Sequence, residues 1–92
     1  MGEALTREMT IVNERGLHAR AAGAVMQLCD DYEAEVTIAF DGETADACSI
    51  MDLLTLAATR GSVIEACATG PQAAEVLDAL EAMVADRFGE ER

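Results

Sequence analysis

The chain has 92 residues, with 18 Asp and Glu against six Arg, no Lys and one His. The resulting formal charge of −12 argues against nucleic acid and anionic membrane surfaces as partners, since both would repel it. A chain of this length builds one small domain with a single core, taken here as residues 1–92. It contains no run of about 18 apolar residues, and its start, Met1-Gly2-Glu3, lacks the basic and apolar stretches of a secretory signal, so a cytoplasmic protein is expected.

Arg7, Met9 and Ile11 alternate with Glu8 and Thr10, which predicts a first strand reaching about Val12. A loop leads into a helix from Ala19 to Tyr32, with Ala21, Ala22, Val25, Leu28, Cys29 and Tyr32 on one apolar stripe. A second strand over Glu35 to Phe40 sets Val36, Ile38 and Phe40 on one face. Asp41-Gly42 is a two-residue hairpin turn into a third strand, Glu43 to Ala47.

Ser49 is placed to cap a short helix containing Ile50, Leu53 and Leu54, with Asp52 in the first turn, where the helix dipole favours it. Such a helix has one buried stripe, so Met51 and Leu54 cannot be covered as well as Ile50 and Leu53, and some apolar surface is exposed. Gly61 ends this region. Ser62 to Thr69 alternates Ile64, Ala66 and Ala68 against Glu65 and Cys67, a last strand. Gly70-Pro71 opens a final helix whose Val76, Leu77, Leu80, Met83, Val84 and Phe88 form the long core-facing stripe. The order βαββαβα predicts an α+β domain, an antiparallel sheet with three helices packed on one face.

Cys29, Cys48 and Cys67 are odd in number and widely spaced in apolar surroundings, so they read as small buried hydrophobes. With one His and no CxxC, neither a metal site nor a cofactor is expected.

The single His18 falls at the mouth of the first helix, two residues before Arg20. Imidazole is nucleophilic near neutral pH without a metal. The first N–H groups of a helix, here those of Ala19 and Arg20, have no intrahelical partners and receive anions. Arg20 would add a planar fork of donors, each charge-assisted bond contributing ~1.5 to 3 kcal/mol. Gly16 permits the sharp turn that presents the ring. Position alone makes such a His more often an ordinary polar residue than a phosphoryl acceptor.

The segment GLHARAAG, Gly16 to Gly23, resembles the active-site signature of the HPr family, the histidine-containing phosphocarriers of the bacterial phosphotransferase system. Five matched residues arise by chance on the order of once in 10⁶ positions at average composition. A second segment, Cys48-Ser49-Ile50-Met51-Asp52-Leu53-Leu54, is similar to the family's stretch around a regulatory serine, and Ala68-Thr69-Gly70-Pro71 before an amphipathic helix also fits. Many members have proline where this chain has Ala21. Proline at the start of a helix costs no intrahelical bond, so the exchange should leave the anion seat intact. The run from Ser49 to Gly61 and the ending around Ala85 to Glu91 look more like the nitrogen-related, NPr-like branch.

The resemblance implies an open-faced β-sandwich with sheet order 1-4-2-3. It implies a phosphoryl group held on Nδ1 of His18, stabilised by Arg20 and by the backbone of Ala19 and Arg20. The expected role is a stoichiometric carrier, not an enzyme, taking the group from an enzyme I charged by phosphoenolpyruvate and giving it to an enzyme IIA-type protein. It further implies a docking face of Ala21, Ile50, Met51 and Leu54, a regulatory serine at Ser49 with its kinase and phosphorylase, and a monomer. Two other readings stand beside this one: a regulatory interaction module that responds to its phosphorylation state, and a small ligand-binding domain without phosphoryl chemistry, which the joint match at His18, Arg20 and Ser49 disfavours.

Overall fold

Period-two alternation of apolar and polar side chains forms four strands, β1 (Leu5–Thr10), β2 (Glu35–Phe40), β3 (Glu43–Asp46) and β4 (Val63–Thr69). They make one antiparallel sheet of order β1-β4-β2-β3. A computed structural model of the protein describes residues 4–92. Met1-Gly2-Glu3, on which the expectation about a secretory signal rests, lie outside the described residues.

Three helices, α1 (Ala19–Asp30), α2 (Ile50–Thr55) and α3 (Ala73–Ala85), complete the order βαββαβα. Met9, Val36, Ile38, Ala45, Ile64, Ala66 and Ala68 turn inward from the sheet and meet Ala21, Ala22 and Val25 of α1, Leu53 of α2, and Val76, Leu77, Leu80 and Val84 of α3. The small side chains of Ala45, Ala66 and Ala68 let the helices lie close to the strands. The opposite face carries Thr6, Glu8, Glu65, Cys67 and Thr37, paired across β1, β4 and β2, so it is polar or half-covered.

The boundaries differ from the expectations in physically readable ways. Regular β1 stops at Thr10 because the chain then pairs with a turn rather than a strand: Ile11 donates to Ser62 O (2.9 Å) and accepts from Gly61 N (2.7 Å). Helix α1 ends at Asp30, and Tyr32 packs half-buried beyond it. Helix α3 begins at Ala73, two residues after Pro71. Phe88 lies past that helix in a single 3-10 turn, Arg87–Gly89, yet still packs against the core. Asp41 and Gly42 both take positive φ (52° and 82°), the left-handed pair that a tight two-residue hairpin requires.

Of the three cysteines expected to be buried, Cys29 is, Cys67 is half-covered, and Cys48 is exposed in the loop before α2. Cys48 sits outside the strand and helix stripes, so the apolar pattern around it did not report its burial. Desolvation pushes the Cys29 thiol up to about 12, and slight desolvation of the sulfur, with the carboxylates of Asp46 and Asp30, raises that of the exposed Cys48. Neither is an activated thiolate.

Candidate functional site

The loop between β1 and α1 is held from three sides before it delivers His18. Gly16 takes φ +68° and lies so close to the exit of α2 that a Cβ there would fall 2.6 Å from Ala58 O. Leu17 N donates to the same carbonyl (2.9 Å), and the Leu17 side chain is buried. Below the loop, Asn13 is wholly buried, and its amide donates to Gly16 O (2.9 Å). A turn braced by α2 and by a buried amide leaves the next residue little freedom.

His18 is the N-cap of α1, with extended backbone (φ −80°, ψ 179°), and its Nδ1 accepts from Arg20 N (3.3 Å). A backbone N–H can only donate, so Nδ1 carries the lone pair, and the hydrogen-bond network assigns the neutral ring's proton to Nε2. Nε2 faces the carboxylate of Glu90. The other oxygen of Glu90 accepts from the Asn13 amide (3.0 Å). The His18 and Glu90 side chains are only 16% and 14% exposed. Burial alone would raise the Glu90 carboxyl, but the hydrogen bonds from Asn13 and His18, and the fields of His18 and Arg15, hold it below its ordinary range.

The chain reaches Glu90 by leaving α3 through Arg87 and Phe88, both at positive φ (58° and 55°), which turns it back toward the loop. Arg92 O then accepts from Glu14 N (2.9 Å). Residues 89–92 and the loop together line a cleft of ≈ 450 Å³ with Glu14, Arg15 and Arg20. Three of the chain's six Arg, Arg15, Arg20 and Arg92, therefore border the cleft that Glu90, the partner of His18 Nε2, also lines.

The expected site residues divide clearly. His18, Ala19 and Arg20 come together at the start of α1, with Ala19 and Arg20 exposed. Ser49 caps α2, its Oγ accepting from Asp52 N (3.2 Å), as its sequence position implies. Met51 is 74% exposed, Ile50 and Leu54 are half-buried, and Leu53 is fully buried, the division that a single buried stripe requires. Ala21 is a correction. It is 1% exposed, its methyl packed in the core, so its side chain presents nothing to a partner. Its place in the docking surface followed the run of residues after His18, whereas the turn of the helix directs it inward.

Sequence reasoning missed Asn13, Glu90, Arg15 and Arg92. Asn13 and Glu90 are 77 positions apart, and only tertiary folding joins them. A buried Asn at the end of a strand has no periodic signature. The one available signal was the density of Arg in Arg15-Gly-Leu-His-Ala-Arg20 within a strongly acidic chain.

Comparison with known proteins accords with this arrangement. The family model described as the PTS HPr component phosphorylation site matches residues 5–86. The phosphocarrier protein HPr of Cupriavidus necator is 43% identical over 86 residues, covering 94% of this chain and 97% of that one. The phosphocarrier protein NPr of Shewanella violacea is 40% identical, covering 94% of each. The crystal structure of HPr-C-His from Thermoanaerobacter tengcongensis superposes with a TM-score of 0.90 at 30% identity, covering 96% of this chain and 99% of that one. Relatives named HPr and NPr match over the same span, so the nitrogen-related branch expected from residues 49–61 and 85–91 gains no advantage. A sheet of order 1-4-2-3, a lone His capping the first helix and matches along nearly the whole chain lead to one conclusion: this protein belongs to the HPr family of phosphotransferase-system phosphocarriers.

Proposed function

We propose that His18 is the residue that carries the phosphoryl group, accepting it on Nδ1 from the phosphohistidine of an enzyme I and passing it to a histidine of an enzyme IIA-type protein. The observation that carries this reading is the orientation of the ring. Nδ1 faces the opening turn of α1 at Arg20 N, and Nε2 faces away from it toward Glu90. A phosphoryl group built on Nδ1 takes up the lone pair that accepts from Arg20 N, releasing that N–H to donate to the group at the positive end of the helix dipole, and Arg20 supplies a charged fork from the same turn. Positioning and charge are most of what phosphoryl transfer asks of a protein, and this site offers both without a metal.

On this reading the protein is a stoichiometric carrier acting in the cytoplasm as a monomeric HPr-like unit. Its partners dock over Met51, with Ile50 and Leu54 at the margin, beside the mouth of α1; an exposed Met in an apolar patch adapts to more than one partner. Ser49 is the regulatory position, where a kinase would add about −1.5 to −2 charges beside this docking surface and a phosphorylase would remove them. The expected consequence is altered docking with the fold retained.

Incubation with phosphoenolpyruvate and a cognate enzyme I should add a single acid-labile, base-stable phosphate that His18→Ala does not acquire. An uncharged wild-type chain alongside a charged enzyme I would refute the assignment of His18 and favour a regulatory module that keeps the signature without the relay.

A further inference from the structure

We infer that Glu90 is a positioning residue for the phosphoryl relay: its carboxylate keeps the His18 proton on Nε2, so that Nδ1 is the free nucleophile and no proton need move when the phosphoryl group arrives or leaves. The inference rests on His18 being the carrier residue.

The Glu90 carboxylate is built into place. One oxygen meets Nε2 of His18 and the other is held by the amide of Asn13 (3.0 Å), which is itself buried and tied to Gly16 O (2.9 Å). On one side of Glu90 the chain is fixed by Phe88, packed against the core after two residues at positive φ. On the other side it is fixed by the bond from Glu14 N to Arg92 O (2.9 Å). Little water competes at so covered a contact, so the pair is stronger than an exposed surface pair.

The transfer step balances with the proton left where it is. Nδ1 attacks the phosphorus of the donor's phosphohistidine, the Nδ1–P bond forms and the donor's N–P bond breaks. The donor ring departs with the electron pair of the broken bond. As the new bond forms, the His18 ring passes from neutral to cationic, still bearing its hydrogen on Nε2, and the fixed carboxylate opposes that charge from the far side of the ring. Onward transfer runs the same sequence in reverse, with the His18 ring leaving neutral.

The test combines ¹⁵N NMR of the His18 ring with transfer kinetics from charged enzyme I, in wild type, Glu90→Ala and Glu90→Gln. Wild type should show the Nε2–H form alone, and Glu90→Ala a mixture of both ring tautomers. Glu90→Gln retains the size of the side chain and an acceptor for Asn13 but not the charge. Both variants should transfer roughly tenfold more slowly in kcat with KM unchanged. A wild-type tautomer in Glu90→Ala, or wild-type kcat in Glu90→Gln, would overturn the inference. If wild type itself takes no phosphate, the carrier assignment fails and takes the inference with it; if wild type is charged and the variants match it, only the role of Glu90 fails.

Discussion

Replacing Gly16 with Ala tests whether the close approach of the loop to α2 holds the site together. Two costs add there. The backbone at φ +68° is left-handed, which penalises an L side chain by ~1–2 kcal/mol. The new Cβ would also meet Ala58 O at 2.6 Å and Thr59 Cα at 2.9 Å, both rigid backbone atoms, so the loop must withdraw. Withdrawal lengthens the Leu17 N to Ala58 O bond, now 2.9 Å, and costs ~1–2 kcal/mol more. The sum is about 3 kcal/mol, or a fall in Tm of roughly 12–24 °C for a domain this small. Gly42→Ala is the control: at φ +82°, with nothing within 4 Å of its Cβ, it bears the backbone cost alone and should lose ~1–2 kcal/mol. Urea and thermal melts of the two variants separate strain from collision, and phosphate uptake should fall only in Gly16→Ala, because His18 is two residues from the displaced atom. Equal melting of the two variants would refute the argument.

Ser49→Ala removes the acceptor for Asp52 N and should cost about 1 kcal/mol in a urea melt, with phosphate uptake at His18 unchanged. Leu53→Ala empties a fully buried site and should cost ~2–5 kcal/mol, whereas Met51→Ala, one turn face away, should leave the melt within about 0.5 kcal/mol and raise the KM of the donor enzyme for this carrier. The folded Glu90 carboxyl lies below the ordinary value of 4.5, so its contribution to stability is fully present above that value and is lost as pH falls through the lower folded one. The stability difference between wild type and Glu90→Gln should therefore shrink as pH falls below 4.5; a difference that grows below that value would reverse the sign of the linkage.

Local signals reported what they physically can. The helix stripes, the strand alternation, the Asp41-Gly42 turn and the Ser49 cap all depend on residues within a few positions of one another, and each appears in the structure. His18 at a helix mouth with Arg20 in the first turn was legible for the same reason. Sheet order came from family resemblance, because alternation says which face of a strand is buried and not which strand lies beside it. Ala21 and Cys48 were misplaced because neighbours in sequence point in different directions on a helix and in a loop. Asn13 and Glu90 were invisible because their roles exist only once Phe88 turns the chain back over the first loop.

The charge of the chain and the charge of its cargo conflict only when the molecule is treated as a uniform sphere. At physiological ionic strength fields fade over about 8 Å, so the distant carboxylates that make up most of the −12 are screened from the site. On the proposed reading a phosphoryl group arriving at Nδ1 meets the opening turn of α1 at Arg20 N, while the neighbouring cleft that Glu90 lines sets Arg15, Arg20 and Arg92 against Glu14, Glu90 and Glu91. Those six charges cancel before transfer. One of the three carboxylates, Glu90, is committed to the far nitrogen of the ring, so the Nδ1 side of His18 opens on the helix mouth and Arg20 rather than on an acid. Acidity elsewhere adds a repulsive field toward other polyanions. The local balance lets the same protein carry a dianion, and it predicts that added salt should slow encounter with partners more than it slows transfer within the docked complex.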